Sequence, residues 1–311
     1  MTLGLRAALC LLWLLLAPAS AGAEGVPADA RVLLVTSAQS GAYAETVAAI
    51  RAALGPAVVA ADILAVDWQA LPDETLHAPR IIVTVGTQAA QAVAERSPRP
   101  PVLHTLVPHQ TWERLAPQGA NGRASAIFLD QPVERQLALI AEALPEWRRL
   151  ALIASPRSEP LAAQLAAGAQ LRRWTVTLES VTSDRDLYPA LQRVLAAPAV
   201  LLALPDSTVF NSYTIQNVLL TAYRHQSPVI GFSPAYVRAG ALLALYSTPS
   251  QIGAQAAAAV RTVLEGGALP APAWPRQFEI GINQNVARSL GITLDPAEQI
   301  AARLARRERG P

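Results

Sequence analysis

The segment that most limits the fold of this chain runs from Pro228 to Asn283. A strand-like PVIGFS precedes a short piece from Ala235 to Gly240 and a second strand-like run, ALLALYS. An Ala-rich helix then starts at Thr248 and stops at Gly266-Gly267, before a third apolar run, QFEIGIN. Strand and helix alternating in this way predict a parallel sheet, because parallel neighbours need crossovers and the crossover helices cover the sheet. Ligands on such sheets bind beyond the carboxyl ends of the strands. Polar residues at those ends are therefore the ones to collect.

The same grammar extends upstream. Strands are expected at Arg31–Ser37, VVAADIL, Ile81–Gly86, Pro101–Val107 and Ala124–Asp130, with helices at Tyr43–Leu54 and Thr87–Arg96 and a polar loop at Pro117–Gly122. A second series follows: a helix from Pro132 to Leu144, LALIASP, a helix from Glu159 to Arg173, VTLESV, a helix from Asp184 to Leu195, AVLLALPD, and the segment Asn211 to His225. Two series of like grammar without a repeated sequence predict an α/β protein of two doubly wound parallel-sheet lobes joined by a hinge. No flexible tether divides them, so extended crossings are expected near Asp130, Tyr246 and Pro272, the last within the proline-rich Pro270–Pro275. The lobes would then comprise 24–130 with about 247–272, and 131–246 with about 273–311.

Residues Met1 to Ala23 read as a cleaved signal peptide: Arg6, an apolar run from Ala7 to Ala17, then Ala21-Gly22-Ala23. The run is shorter than the roughly 20 residues a membrane span needs, which places the mature chain in the periplasm. The only cysteine, Cys10, lies inside this segment, leaving neither a disulfide nor a lipid anchor to the mature protein. With 52% hydrophobic residues, burial alone suffices to hold the fold. The net charge is only +2, and the arginines scatter except for Arg303–Arg309, which reads as a solvated helix end. No nucleic-acid partner is expected, and the chain is read as a monomer.

Catalytic arrangements are missing in an informative way. Without a single lysine there is no phosphate-loop G-K-[ST], no Schiff base and no Ser-x-x-Lys. His77, His104, His109 and His225 show no zinc spacing, and His104 and His109 read as packed imidazoles. Gly231-Phe232-Ser233-Pro234-Ala235 imitates a nucleophile elbow, but Pro234 lacks the N–H an oxyanion would need. The chain is thus read as a binder, with no enzyme activity, cofactor or metal. What remains at strand ends is Ser37 and Gln39, then Gly86, Thr87 and Gln88, then Ser155, Asp206, Ser207 and Ser233. Gly86-Thr87-Gln88 opening a helix would suit an anion; Thr87 reads equally as that helix's cap. Asp206 reads as a cap too, or as a carboxylate that pairs a ligand ammonium. Tyr43, Phe210, Tyr213, Phe232 and Tyr236 lie near the same ends, as stacking walls or as core.

The runs VGTQAAQAV, ALPEWRRLALIASP, LLALPDSTVFN and, above all, PVIGFSPAYVRAGALLALYSTPSQIGAQAAAAVRTVLEGGALP with FEIGINQNVARSLGI resemble the substrate-binding proteins of ABC transporters. The resemblance is to the tryptophan/phenylalanine-binding TrpX-like group with the type I periplasmic binding fold. It implies a protein that captures a small solute, an amino acid or similar small polar or aromatic compound, and hands it to an ABC permease in the inner membrane. Ser37, Gln39, Gly86, Thr87 and Gln88 would face the cleft from one lobe, and Ser155, Asp206 and Ser207 from the other. The family's polar stretch with His and Asp after the first strand is replaced here by SAQSGAYAET, so its amino-acid specificity does not carry over. That difference keeps a second reading open: an extracytoplasmic ligand sensor or partner protein signalling to a membrane receptor or kinase.

Overall fold

Five short strands pair into the first sheet: β1 (Val32–Thr36), β2 (Ile63–Asp67), β3 (Ile81–Val85), β4 (Val102–Val107) and β5 (Ala124–Phe128). All are parallel, in the order β2-β1-β3-β4-β5. β1 and β3 are buried along their whole length, which is why they read as unbroken apolar runs instead of alternating ones. Their connections include α1 (Gly41–Leu54), α2 (Thr87–Glu95) and α3 (His109–Leu115). These features come from a computed structural model, which describes residues 31–55, 58, 62–115 and 123–308. The expected signal peptide, the Pro117–Gly122 loop and residues 59–61 of VVAADIL lie outside them.

The second sheet holds β6 (Arg149–Ala154), β7 (Thr175–Ser180), β8 (Val200–Leu202), β9 (Val229–Gly231), β10 (Leu243–Tyr246) and β11 (Glu279–Ile282), ordered β11-β10-β9-β8-β6-β7. Around it lie α4 (Val133–Ala143), α5 (Glu159–Leu171), α6 (Asp184–Val194), α7 (Ile215–Arg224), α8 (Pro234–Ala239), α10 (Gln284–Ser289) and α11 (Ala297–Glu308). Its own core is continuous from Leu137 through Leu152, Leu201 and Leu243 to Leu304. Two α/β lobes are thus present. In each sheet the strand order reverses beside the first strand of its series, between β1 and β3 and between β6 and β8, and such switch points are where ligands lodge.

The C-terminal stretch departs from the uniform parallel sheet its alternation suggests. β11 runs antiparallel to β10, with Leu243 opposite Ile282 and Tyr246 opposite Glu279. The reason lies in α9 (Pro249–Leu264), which is not a crossover on the second sheet. It crosses to the first lobe, where Ile252, Ala256 and Val260 share a core with Ile50 and Leu54 of α1. At Gly253 a Cβ would stand 2.6 Å from the Ala49 Cβ and 2.8 Å from the Thr46 carbonyl oxygen, so only glycine lets the two helices approach this closely. Thr248 and Gln251 form a reciprocal capping box at its start. The returning chain makes a parallel bridge between Ile127 and Ala273 before entering β11 from the opposite end.

Smaller differences have local causes. α3 was not anticipated; Asn211–Thr214 forms a turn ahead of α7, with Asn211 Oδ1 accepting from the Tyr213 and Thr214 amides. The arginine-rich tail is docked, not merely solvated: Ile300 and Leu304 of α11 are buried, and Arg303 and Arg307 pair with Glu142 of α4. Among the described residues, no helix is long and apolar enough to cross a membrane.

His104 of β4 is the packed imidazole it was expected to be. Its Nδ1 lies 2.7 Å from Thr84 Oγ1, Trp112 sits 5.6 Å away, and burial lowers its pKa from 6.5 to about 4. Between those values the unfolded chain binds a proton that the folded chain refuses, so stability falls as pH drops through that window. The loss reaches at most about 3 kcal/mol. Urea midpoints measured from pH 7 to pH 4 should slope downward in the native protein and flatten in this interval for His104→Gln.

Candidate functional site

On the first lobe, the residues predicted from the sequence divide into a frame and a face. Gly86 is the N-cap of α2 at φ +98°, and a Cβ there would meet Tyr43 Cε1 at 2.5 Å and Ser37 Oγ at 2.6 Å. Ser37 Oγ accepts the Ala89 amide at 2.9 Å. The capping assigned to Thr87 thus belongs to Ser37, reaching across from the end of β1, and Thr87 is the first residue inside the helix. The Thr87 and Gln88 amides have no acceptor among the described residues, as the first turn of a helix requires. Gln39 and Gln88 are exposed and Thr87 is half-buried.

The second lobe corrects the ammonium-pairing reading of Asp206. This side chain is only 1% exposed and points inward. Its Oδ2 accepts from the Ser155 amide at 3.0 Å and from Ser158 Oγ at 2.5 Å, while Oδ1 accepts from the Thr208 amide at 2.9 Å. Burial alone would push its carboxyl up, but the bonds from Ser158, Ser155 and Thr208 outweigh it and hold the group below the usual carboxylate range. Asp206 therefore clamps the turns after β6 and β8 together. Ser155 is buried with it, and Ser207 faces solvent. Among the aromatic candidates, Phe210 and Tyr236 are core, Tyr213 is exposed, and Phe232 packs 4.6 Å from Tyr236.

A cavity of about 210 Å³ opens between the lobes, beside the segments that cross from one to the other. Pro108 and Leu129, at the ends of β4 and β5, form its first-lobe wall. Leu139 of α4, Ala203 and Pro205 after β8, Phe232 after β9 and Leu245 of β10 form the other. Asp130, Gln131 and Gln136 also line it, and Ser233 is the one predicted site residue that does. Pro108 is set in place by a bulge in β4: the register slips between Thr105 and Val107, and Leu106 takes φ +53°. Sequence reasoning missed this chamber, although an expected crossing at Asp130 and an aromatic residue at Phe232 marked two of its corners. The remaining predicted residues, grouped around the β1/β3 and β6/β8 switch points, do not line it. Among the described residues, no group of three His, Cys, Asp or Glu side chains is arranged to hold a metal ion.

The family described as ABC transporter substrate binding protein matches residues 73–305, more than half of the chain. The chain belongs to that family. A search of curated proteins found no match. Solved structures similar to this substrate-binding protein include a conserved domain protein from Vibrio cholerae, 23% identical, covering 88% of this chain and 98% of that one at TM-score 0.63. An ABC domain in complex with L-Trp from Streptococcus pneumonia is 17% identical, with 88% and 98% covered and TM-score 0.62. A ligand-free, open substrate binding protein with adhesive properties from Clostridium difficile is also 17% identical, with 86% and 96% covered and TM-score 0.71. At these identities the likeness is one of fold, and it fits the two-lobe architecture of this substrate-binding protein.

Proposed function

We propose that the protein is a periplasmic solute-binding protein, one that traps a small molecule between its lobes without altering it and delivers it to an ABC-type permease in the inner membrane. The observation that carries this reading is the interlobe cavity, lined by strand ends of both sheets and by the Asp130–Gln131 crossing between them. A guest touching both walls favours the closed arrangement through its differential affinity. On this reading, 24–130 with about 247–272 moves against 131–246 with about 273–311. Ser233 would meet the guest in the cavity. Gln39, Thr87, Gln88 and Ser207, which lie outside it, would approach the guest only as the lobes close, and Ser37, Gly86, Ser155 and Asp206 would frame them.

The test is a thermal-shift screen of the purified mature protein against amino acids, nucleosides, sugars and neutral aromatics, followed by small-angle scattering with each hit. A true solute raises the melting temperature, since it binds the folded state alone, and also reduces the radius of gyration. Hits that bind without any contraction would overturn capture by closure.

A further inference from the structure

The cavity beside the crossings has a chemical character that narrows the guest. Its walls are mostly hydrocarbon and aromatic, with Gln131, Gln136 and Ser233 as neutral polar members, and Leu129 remains 42% exposed at its edge. Among the described residues no arginine or histidine lines it, and this chain has no lysine. Asp130 is its one ionisable lining residue among those described. The His109 amide donates to Asp130 Oδ1 at 2.8 Å, and no side chain among the described residues donates to that carboxyl, which leaves Oδ2 available to a guest. Ser233 Oγ likewise makes no hydrogen bond within the described residues, although the residue is the N-cap of α8.

From this we infer that the chamber holds the apolar body of an uncharged guest, an aromatic or compact hydrocarbon group, whose one polar hydrogen is donated to Asp130. The inference rests on the solute-binding reading and names the class of solute. A carboxylate in the chamber would face Asp130 with only the His109 imidazole nearby to offset the repulsion, and that ring already lies 3.8 Å from the Glu113 carboxylate. A sugar would set several hydroxyls against walls whose neutral polar side chains, among the described residues, are only Gln131, Gln136 and Ser233. Size agrees: a dry cavity of roughly 150 Å³ accepts benzene, so about 210 Å³ suits one or two fused rings. Burial pushes the Asp130 carboxyl above the usual carboxylate range, partly opposed by the His109 amide, so the site favours a guest that stabilises it by a hydrogen bond.

The experiment is calorimetric titration of the purified mature protein with four probes: indole, N-methylindole, indole-3-acetate and L-tryptophan. Indole is expected to bind, and N-methylindole, which has lost the donor, to bind about tenfold more weakly. Indole-3-acetate should be weaker than indole by at least that factor. In Asp130→Asn the difference between indole and its N-methyl form should shrink, while Leu129→Arg, at a position 42% exposed, should weaken both, with the urea midpoint of the free protein checking that it folds. Equal or tighter binding of the two carboxylates, or a donor preference untouched by Asp130→Asn, would overturn the inference. The two readings fail separately. Carboxylate guests that contract the protein would sink this assignment and leave solute capture standing. Indole binding that responds to both variants without contraction would keep the chamber and sink capture by closure.

Discussion

Replacing Arg135 with methionine should lower stability by about 3–5 kcal/mol, the penalty for breaking a buried ion pair from one side. The guanidinium enters a junction from the first turn of α4 and is only 5% exposed. Its Nε and Nη2 grip both oxygens of Glu308 at the end of α11, at 2.5 and 2.8 Å. Its Nη1 donates to Gln131 Oε1 at 2.5 Å and to the Pro275 carbonyl at 3.0 Å, and its plane lies 4.3 Å over the Phe278 ring. Gln131 in turn donates through Nε2 to Ser247 Oγ, which donates to the Gln277 carbonyl. Each of the three segments crossing between the sheets therefore contributes a member to one hydrogen-bonded cluster. Methionine fills the space yet strands the Gln131 and Pro275 acceptors away from water. Glu308 is about one-third exposed and recovers part of its hydration, which puts the loss toward the low end of the range. Urea unfolding at pH 7 measures it, with Arg303→Ala as a comparison: that arginine is 30% exposed, and its loss should cost far less. A loss under 1 kcal/mol for Arg135→Met would mean that the cluster does not hold the crossings.

The order of elements was legible in the chain because it rests on short-range patterning. β1, β3, β4, β6 and α9 fall within a residue or two of their apolar runs and caps. The direction of β11 was not legible: QFEIGIN looks the same pointing either way, and what sets its sense is α9 packing on α1, just over 200 residues away in sequence. The site followed the same division. Polar residues at strand ends could be found by position, but whether a side chain faces out depends on partners elsewhere in the chain. Ser37 is turned inward by an amide 52 residues on, and Asp206 by a serine 48 residues back. The chamber escaped notice because its walls are leucine, proline and alanine, which in a sequence look like any other core. Only the mutual placement of two lobes leaves them uncovered. The ion pairs that fix α11 to α4 were hidden likewise, since Arg303 and Glu142 are 161 residues apart.

Asp206→Ala should also cost about 3–5 kcal/mol, and Asp206→Asn nearly as much. The carboxylate accepts three hydrogen bonds and donates none, so both oxygens must be acceptors. Alanine removes the acceptor of Ser158 Oγ and of the part-buried Thr208 amide and leaves the Ser155 amide only its weaker bond to Ser158 Oγ at 3.2 Å, at roughly 1–3 kcal/mol for each buried group left unpaired, with partial relaxation of the turns. Asparagine retains one acceptor and sets an NH₂ group against a donor. The pH dependence has a definite sign. The folded-state pKa lies below the reference value of 3.8, so the stabilisation is complete above that value and is lost as pH falls through the lower folded one. Native protein should therefore lose stability below about pH 4 by a component that both variants lack. Urea midpoints at pH 7 and pH 3 separate the two contributions. Because this side chain is turned away from the cleft, the affinity of the remaining folded protein for any solute should change less than threefold, about 0.6 kcal/mol. A variant of unchanged stability that binds tenfold more weakly would reverse the assignment, making Asp206 a ligand contact and not a clamp.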